Sequence, residues 1–157
     1  MPALSHRLAA LSIGLAALGL ALPAAAAPAS PYWGRWTVAE DNPVFSSRGR
    51  EYKTIDIAPC GKDFCGVSVA DNGKCGAVLF RFLMKRADGQ SELRGHGKWG
   101  TARKNVLIWL YDSSEAGSND ALELYLGDGY DFGERSENMP KFHANYRKAG
   151  AARCTSR

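Results

Sequence analysis

Three of the four cysteines in this chain lie within one short stretch of small and polar residues. Cys60, Cys65 and Cys75 form a Cys-x4-Cys-x9-Cys pattern, and Cys154 stands near the C-terminus. Such thiols could bind zinc, exchange disulfides or form structural disulfide bonds. The pattern lacks the doubled Cys-x-x-Cys pairs and the nearby histidine of zinc sites, and a redox site would also need Cys-x-x-Cys. Structural disulfide bonds are therefore favoured, provided that the chain leaves the cytoplasm.

The N-terminus has the pattern of a secretory signal peptide. Arg7 precedes an apolar run from Leu8 to Leu22, and a series of small residues follows. The run is about 15 residues long, which is shorter than the roughly 20 that a membrane-spanning helix needs. We expect residues 1–26 to be removed by cleavage after Ala26, with cleavage after Ala29 as the alternative. Residues 27–157 should form a single soluble domain. The periplasm is the expected location, with secretion as the alternative.

Two alternating segments around the cysteines predict a β-hairpin. Ile55 and Ile57 alternate with polar residues, and Val67 and Val69 flank a serine, as expected for half-buried strands. Pairing Ile57 with Val67 and Ile55 with Val69 places all four side chains on one face. We therefore predict this register for the hairpin.

The predicted hairpin favours one of the three ways to pair four cysteines. In this register Cys60 begins a five-residue turn over residues 60–64, and Cys65 follows directly across it. The two Cα atoms can then approach within the roughly 4.4 to 6.8 Å that a disulfide bond requires. Cys75 and Cys154 are left to each other, which ties the C-terminal tail to the sheet.

Strand-like segments follow one another along the whole chain, with turn residues between them and no helical pattern. Parallel strands would need crossover connections of a dozen or more residues, so short strands at this spacing indicate an antiparallel barrel or sandwich. We predict about eight strands, at residues 34–39, 52–58, 65–70, 78–85, 92–99, 106–111, 121–126 and 142–148.

Two motifs resemble those of a known group of proteins. Gly34-Arg35-Trp36 resembles the Gly-x-Trp that begins lipocalin and other calycin barrels, and the segment 55–66 is similar to the hairpin of the domain of unknown function 2147 family. The resemblance covers Gly34 to about Met84. It implies an exported all-β protein, a disulfide-stapled up-and-down barrel with no settled activity. It also implies that Arg147 lies across the ring of Trp36 and closes one end of the barrel.

In calycins, aromatic side chains line a ligand cavity, which gives a set of candidate binding residues. An arginine, either Arg147 or Arg81, would be available for an anionic head group. The alternative is that the rings only fill the interior, because an eight-stranded barrel is just wide enough to hold side chains. The candidate ligand-binding aromatics are Trp36, Phe80, Phe82, Trp99, Trp109 and Tyr125, and Tyr146 belongs to the same aromatic group.

Other patterns that could perform chemistry fail in their context. Residues 95–100 match a dinucleotide fingerprint, but no helix pattern follows, so we expect these glycines to relieve crowding in a bent strand beside Trp99. His96 and His143 are not spaced as metal ligands, and the acidic residues between 128 and 134 lack the spacing of an EF-hand. We therefore expect no catalytic residue, no metal and no cofactor.

The formal net charge of +4 is too small to indicate a nucleic-acid partner. Acidic residues dominate from Asp112 to Glu137, whereas the charged residues after Glu137 are all basic. The simplest interpretation is a solvated acidic face and a basic tail that neutralise each other. The alternative is peripheral contact of the basic tail with anionic lipid or polysaccharide of the envelope.

Two functional hypotheses remain. The first is a non-enzymatic barrel that binds a small apolar or amphipathic molecule. The second is a periplasmic protein-interaction module, such as an inhibitor or an envelope assembly or stress factor. Its contact would be the basic tail or the strand 106–111, which is apolar on both faces and could also support self-association. No combination of residues supports a third hypothesis, an envelope-modifying enzyme.

Overall fold

The computed structural model shows an all-β protein with two disulfide bonds. The predicted signal peptide lies outside the residues that the structure describes. Within the described parts of the chain, no helix is long and apolar enough to cross a membrane. The described residues are 30–39, 48–83, 91–112, 120–130 and 141–156.

Eight antiparallel strands form a closed barrel in which each strand pairs with the next one and the last pairs with the first. The predicted fold class, an antiparallel up-and-down barrel of about eight strands, is confirmed. A short 3₁₀ helix at Gly49–Tyr52 precedes the second strand. The strands are β1 (Gly34–Val38), β2 (Thr54–Cys60), β3 (Asp63–Val69), β4 (Cys75–Leu83), β5 (Glu92–Trp99), β6 (Ala102–Tyr111), β7 (Ala121–Gly127) and β8 (Phe142–Gly150).

The core lies inside the barrel because each strand turns every second side chain inward. In β7, for example, Leu122, Leu124 and Leu126 are fully buried, whereas Glu123 and Tyr125 face outward. Burial of each such leucine contributes on the order of 2 kcal/mol. The inner face of a single strand is therefore a substantial part of the stability of the fold.

Two large aromatic residues show how polar groups inside the barrel are satisfied. The Nε1 of Trp36 donates a hydrogen bond of 2.8 Å to the carbonyl of Tyr32. The hydroxyl of Tyr146 donates one of 2.6 Å to the carbonyl of Tyr52. Both side chains are fully buried. These bonds therefore remove the desolvation cost that a bare N–H or O–H would carry.

Two glycines of the predicted crowded strand do allow close approach of their neighbours. A Cβ on Gly95 would lie 2.6 Å from a ring carbon of Phe82, and one on Gly97 would lie 2.5 Å from a methyl carbon of Val106. No side chain fits at these distances without displacement. The expectation that the glycines of residues 95–100 relieve crowding is confirmed for Gly95 and Gly97.

The predicted register of the β2–β3 hairpin is wrong by one residue. Ile57 pairs with Gly66, and Val67 pairs with Asp56. The turn has two residues instead of five, and its first residue, Gly61, has a φ of 69° that suits glycine. Because side chains alternate with a period of two, this slip moves Val67 from the inner face to the outer face.

Both predicted disulfide pairings are confirmed. Cys60 and Cys65 are joined with a Cα–Cα distance of 5.8 Å. Cys75 and Cys154 are joined with a Cα–Cα distance of 5.4 Å. Two such bonds indicate an oxidising environment.

The segment after β8 packs against the outside of the barrel. Cys154 is buried in a small cluster with Val67 and Val69, and Val78 packs against this cluster. The disulfide bond to Cys75 holds the segment there. The outward-facing valines of β3 are thus covered by the C-terminal segment.

Candidate functional site

The structure divides the predicted ligand-binding residues between the two sides of the barrel wall. The alternation along β6 buries Ile108 and Leu110 and turns Trp109 outward. Tyr146 is inside, and Arg81 is outside at 3.8 Å from the carboxylate of Asp63. The inner set is Trp36, Phe80, Phe82 and Trp99, and the outer set is Trp109, Tyr125 and Arg147.

The buried rings of the inner set pack against other rings of the core. The centroid of Phe82 lies 5.3 Å from that of Phe64 and 5.4 Å from that of Phe80. At the other side of the core, Phe142 lies 5.0 Å from Tyr52 and 6.2 Å from Trp99. These separations are typical of mutually packed aromatic pairs.

The cation over Trp36 is Lys148, so the prediction that Arg147 makes this contact is wrong. The Nζ of Lys148 lies 5.3 Å from the centroid of a Trp36 ring and donates a hydrogen bond of 3.0 Å to the carbonyl of Pro31. Partial burial lowers the pKa of this amine. Lys148 pairs with Trp36 in the ladder, whereas Arg147 pairs with Thr37 and is exposed. The alternation of side chains thus selects the lysine.

The outer face of β6 carries the most exposed aromatic residues of the described chain. We define the β6 outer face as Leu107, Trp109 and Tyr111. Leu107 is buried, Trp109 is 48% exposed and Tyr111 is 36% exposed. The ring centroids of Trp109 and Tyr111 are 6.5 Å apart. The prediction that this strand is apolar on both faces is confirmed.

Two glutamates flank the exposed indole. Glu92 of β5 and Glu123 of β7 pair directly with Trp109 in the sheet. Directly opposed residues have Cβ atoms about 4.5 to 5.5 Å apart. The ring of Trp109 therefore stands between two carboxylate side chains on the outer wall.

Glu123 is held in place by two neighbours. Its Oε1 accepts hydrogen bonds of 2.6 Å from the hydroxyl of Tyr125 and of 2.8 Å from Nε2 of His143. The rings of Tyr125 and His143 stack with their centroids 4.1 Å apart. Burial and the bond to Glu123 raise the pKa of Tyr125 to about 12, so this hydroxyl stays protonated at neutral pH. These two bonds hold the carboxylate of Glu123 toward Tyr125 and His143.

On the other side, Glu92 is paired within its own strand. Its Oε1 accepts a hydrogen bond of 2.8 Å from Nε of Arg94. The guanidinium of Arg94 also lies 5.6 Å from the ring centroid of Tyr130. The pair is exposed, so it contributes little to stability.

Sequence reasoning missed one ionised group, the buried carboxylate of Asp56. Arg35 donates two hydrogen bonds of 2.8 Å to it, and the backbone N–H groups of Arg153 and Cys154 donate bonds of 2.8 and 2.7 Å. Burial raises the pKa of Asp56, but the bonds from Arg35 and the backbone outweigh it, so the pKa lies below its usual value. In the sequence, Asp56 looks like a solvent-facing residue between Ile55 and Ile57. No feature of the neighbouring sequence indicates the partners of Asp56.

The carboxylate of Asp56 has a structural role, because its donors come from β1 and from the segment after β8. It joins β1, β2 and the C-terminal segment from outside the barrel. In the described ranges no group of three or more His, Cys, Asp or Glu residues could hold a metal ion. The exposed aromatic surface of β6 and its two glutamates are thus the strongest candidate site.

The resemblance of residues 34–36 and 55–66 to the domain of unknown function 2147 family stays a prediction. The barrel agrees with the architecture that the resemblance implies. No family model, no curated protein and no solved structure matches this chain.

Proposed function

We propose that this protein is an exported, non-enzymatic module that binds a partner protein through the β6 outer face. The observation that carries the proposal is the exposure of Trp109 and Tyr111 side by side, since most other large rings in the described ranges are buried. Trp and Tyr are, together with Arg, the residue types enriched in the energetic centres of protein interfaces. An exposed pair of this kind is a typical marker of an interaction surface.

The proposed compartment is the periplasm, with secretion as the alternative. The signal-peptide pattern of residues 1–26 supports export, and the two disulfide bonds support an oxidising compartment. Both arguments concern the environment of the mature domain and are independent of each other.

The packing of the core favours the outer surface over the interior as the place of binding. A small apolar molecule inside the barrel would have to separate rings such as that of Phe82, which packs against both Phe64 and Phe80. Each displaced ring would lose contacts that contribute about 0.5 to 1.5 kcal/mol beyond its burial. The ligand-binding hypothesis thus carries a cost that surface binding avoids.

Site-specific photo-crosslinking tests the proposal. A p-benzoyl-phenylalanine is placed at position 109 and, as the matched control, at position 83, because Leu83 of β4 is 47% exposed and apolar like Trp109. The cells that express and export each variant are irradiated. We expect a discrete protein adduct from position 109 and none from position 83.

Two results would contradict the proposal. One is the absence of an adduct from position 109, or equal adducts from both positions. The other is a native mass spectrum in which the purified protein carries a stoichiometric lipid, since this would favour the interior of the barrel. Variants with the photoreactive residue must keep the melting temperature of the unmodified protein for the comparison to hold.

A further inference from the structure

We propose that the partner of the β6 outer face is a polypeptide that presents an arginine, whose guanidinium stacks on the exposed indole of Trp109. This inference rests on the proposed function and specifies the chemistry of the partner. It follows from the position of the indole between two carboxylates, a combination that attracts a cation and repels an anion.

The exposed indole of Trp109 is a surface that favours a cation. The face of an aromatic ring carries partial negative charge, and Trp binds cations more strongly than Tyr or Phe does. Nearly half of the Trp109 side chain is accessible, and the ring is next to Tyr111, which widens the apolar area. A planar guanidinium can lie flat on such a surface, whereas a compact and strongly hydrated ammonium makes less contact.

Two glutamates flank this indole in the sheet. Glu92 and Glu123 pair with Trp109 from opposite sides, so a cation above the indole would have an acidic residue on each side. Among the described residues, the hydrogen bonds that Glu92 and Glu123 accept all use Oε1. Oε2 of each glutamate is therefore left for a donor from outside. A guanidinium has five N–H donors and can stack and donate at the same time.

The charged residues around the β6 outer face are mostly acidic. Asp112 follows β6 and Asp120 precedes β7, so two further acidic residues lie at the end of the strands that carry Trp109 and Glu123. Two arginines also lie here: Arg94 donates to Glu92, and Arg147 pairs with Ala121, the ladder partner of Tyr111. The four acidic residues of this region outnumber these two arginines. The charge of this region thus complements a basic segment rather than an acidic one.

The test is a titration of the protein with two capped pentapeptides that differ only in whether their two long side chains end in a guanidinium or in a neutral urea group. The first is acetyl-Gly-Arg-Gly-Arg-Gly-amide, and in the second both arginines are replaced by citrulline, which has the same shape and no charge. The indole N–H resonance of Trp109, assigned through Trp109→Phe, reports binding to the full mature protein. We expect saturable shifts with the arginine peptide and at least about fivefold weaker binding of the citrulline peptide.

Variants of the protein complete the test. Glu92→Gln combined with Glu123→Gln should weaken binding of the arginine peptide at least about fivefold, because both carboxylates are lost. The matched control is Glu51→Gln, which neutralises an exposed glutamate on the 3₁₀ helix and should leave binding unchanged. Binding should also weaken as salt is added, since exposed charges are screened.

The outcomes separate this inference from the proposed function. Equal affinity for the two peptides, no binding of either, or no effect of the double glutamine variant would overturn the arginine inference. The inference would also be overturned if sedimentation showed a dimer of this chain that Trp109→Phe dissociates. An adduct at position 109 with an acidic peptide or a glycan would overturn it as well. A protein adduct at position 109 without arginine dependence leaves the proposed function standing, whereas the absence of any adduct removes both.

Discussion

Replacing Asp56 by asparagine should lower the free energy of unfolding by about 3 kcal/mol, because removing one member of a buried ion pair typically costs about 3 to 5 kcal/mol. The side chain of Asp56 is 0% exposed and accepts from the guanidinium of Arg35 and from the N–H groups of Arg153 and Cys154. The amide of asparagine keeps one acceptor oxygen, but its NH₂ group would face the N–H groups that now donate to the carboxylate. The guanidinium is 21% exposed and can recover some hydration, which places the expected cost at the lower end.

The assay is urea unfolding followed by circular dichroism, with Asp71→Asn as the control. Asp71 also pairs with a base, the Nζ of Lys53 at 3.2 Å, but its side chain is 85% exposed. The control should therefore cost less than about 1 kcal/mol. For a domain of this size, the Asp56→Asn variant should melt about 10 to 15 °C lower than the wild type. A cost for Asp56→Asn that is no larger than that of the control would refute the reasoning.

The same variant has an expected pH dependence. The pKa of Asp56 in the folded protein is lower than in the unfolded chain, where an aspartate titrates near about 3.9. The ionised carboxylate therefore stabilises the fold above that pH, and this contribution disappears as the pH falls through the folded pKa. The difference in stability between the wild type and Asp56→Asn should be constant above about pH 5 and should narrow below about pH 4. A difference that does not change with pH would mean that the charge is not responsible.

Three further substitutions test other parts of the structure. Changing both Cys75 and Cys154 to serine should cost about 4 kcal/mol in urea unfolding, because the bond closes a loop with a sequence separation of 79; a loss below about 1 kcal/mol would argue against loop closure as the cause. Gly95→Ala should cost about 1 to 3 kcal/mol in the same assay, since its Cβ would lie 2.6 Å from a buried ring, and an unchanged midpoint would contradict that packing. Lys148→Met should lower stability by about 0.5 to 1 kcal/mol through loss of the cation over the indole, whereas Arg147→Met should have less effect; the reverse order would favour the arginine contact.

Several features of the fold could be predicted from local sequence. Alternating side chains and turn residues indicated the strands, and the observed bounds differ from the predicted ones by a few residues. The pairing of Cys60 with Cys65 follows from a hairpin that is contained within a few residues, and it holds even though the predicted register is shifted by one. With one pair closed, the other two cysteines had a single choice. These are short-range relations, or consequences of them, so the sequence alone determines them.

Orientation and burial were decided by the tertiary structure. Alternation defines two faces of a strand but does not say which one is inside when both are apolar, so the sequence left open that Trp109 faces outward. In the same way, a slip of one residue placed Val67 outside, where the C-terminal segment covers it.

The buried charge of Asp56 is the clearest example of a feature that could not be predicted from the sequence. Its partner Cys154 is 98 residues away in sequence, and no local pattern records that encounter. The sequence by itself determined an all-β chain with a defined order of strands and two disulfide bonds. Only the closed barrel decided which side chains meet across the wall, because those contacts depend on register and on chain segments that are distant until the sheet closes.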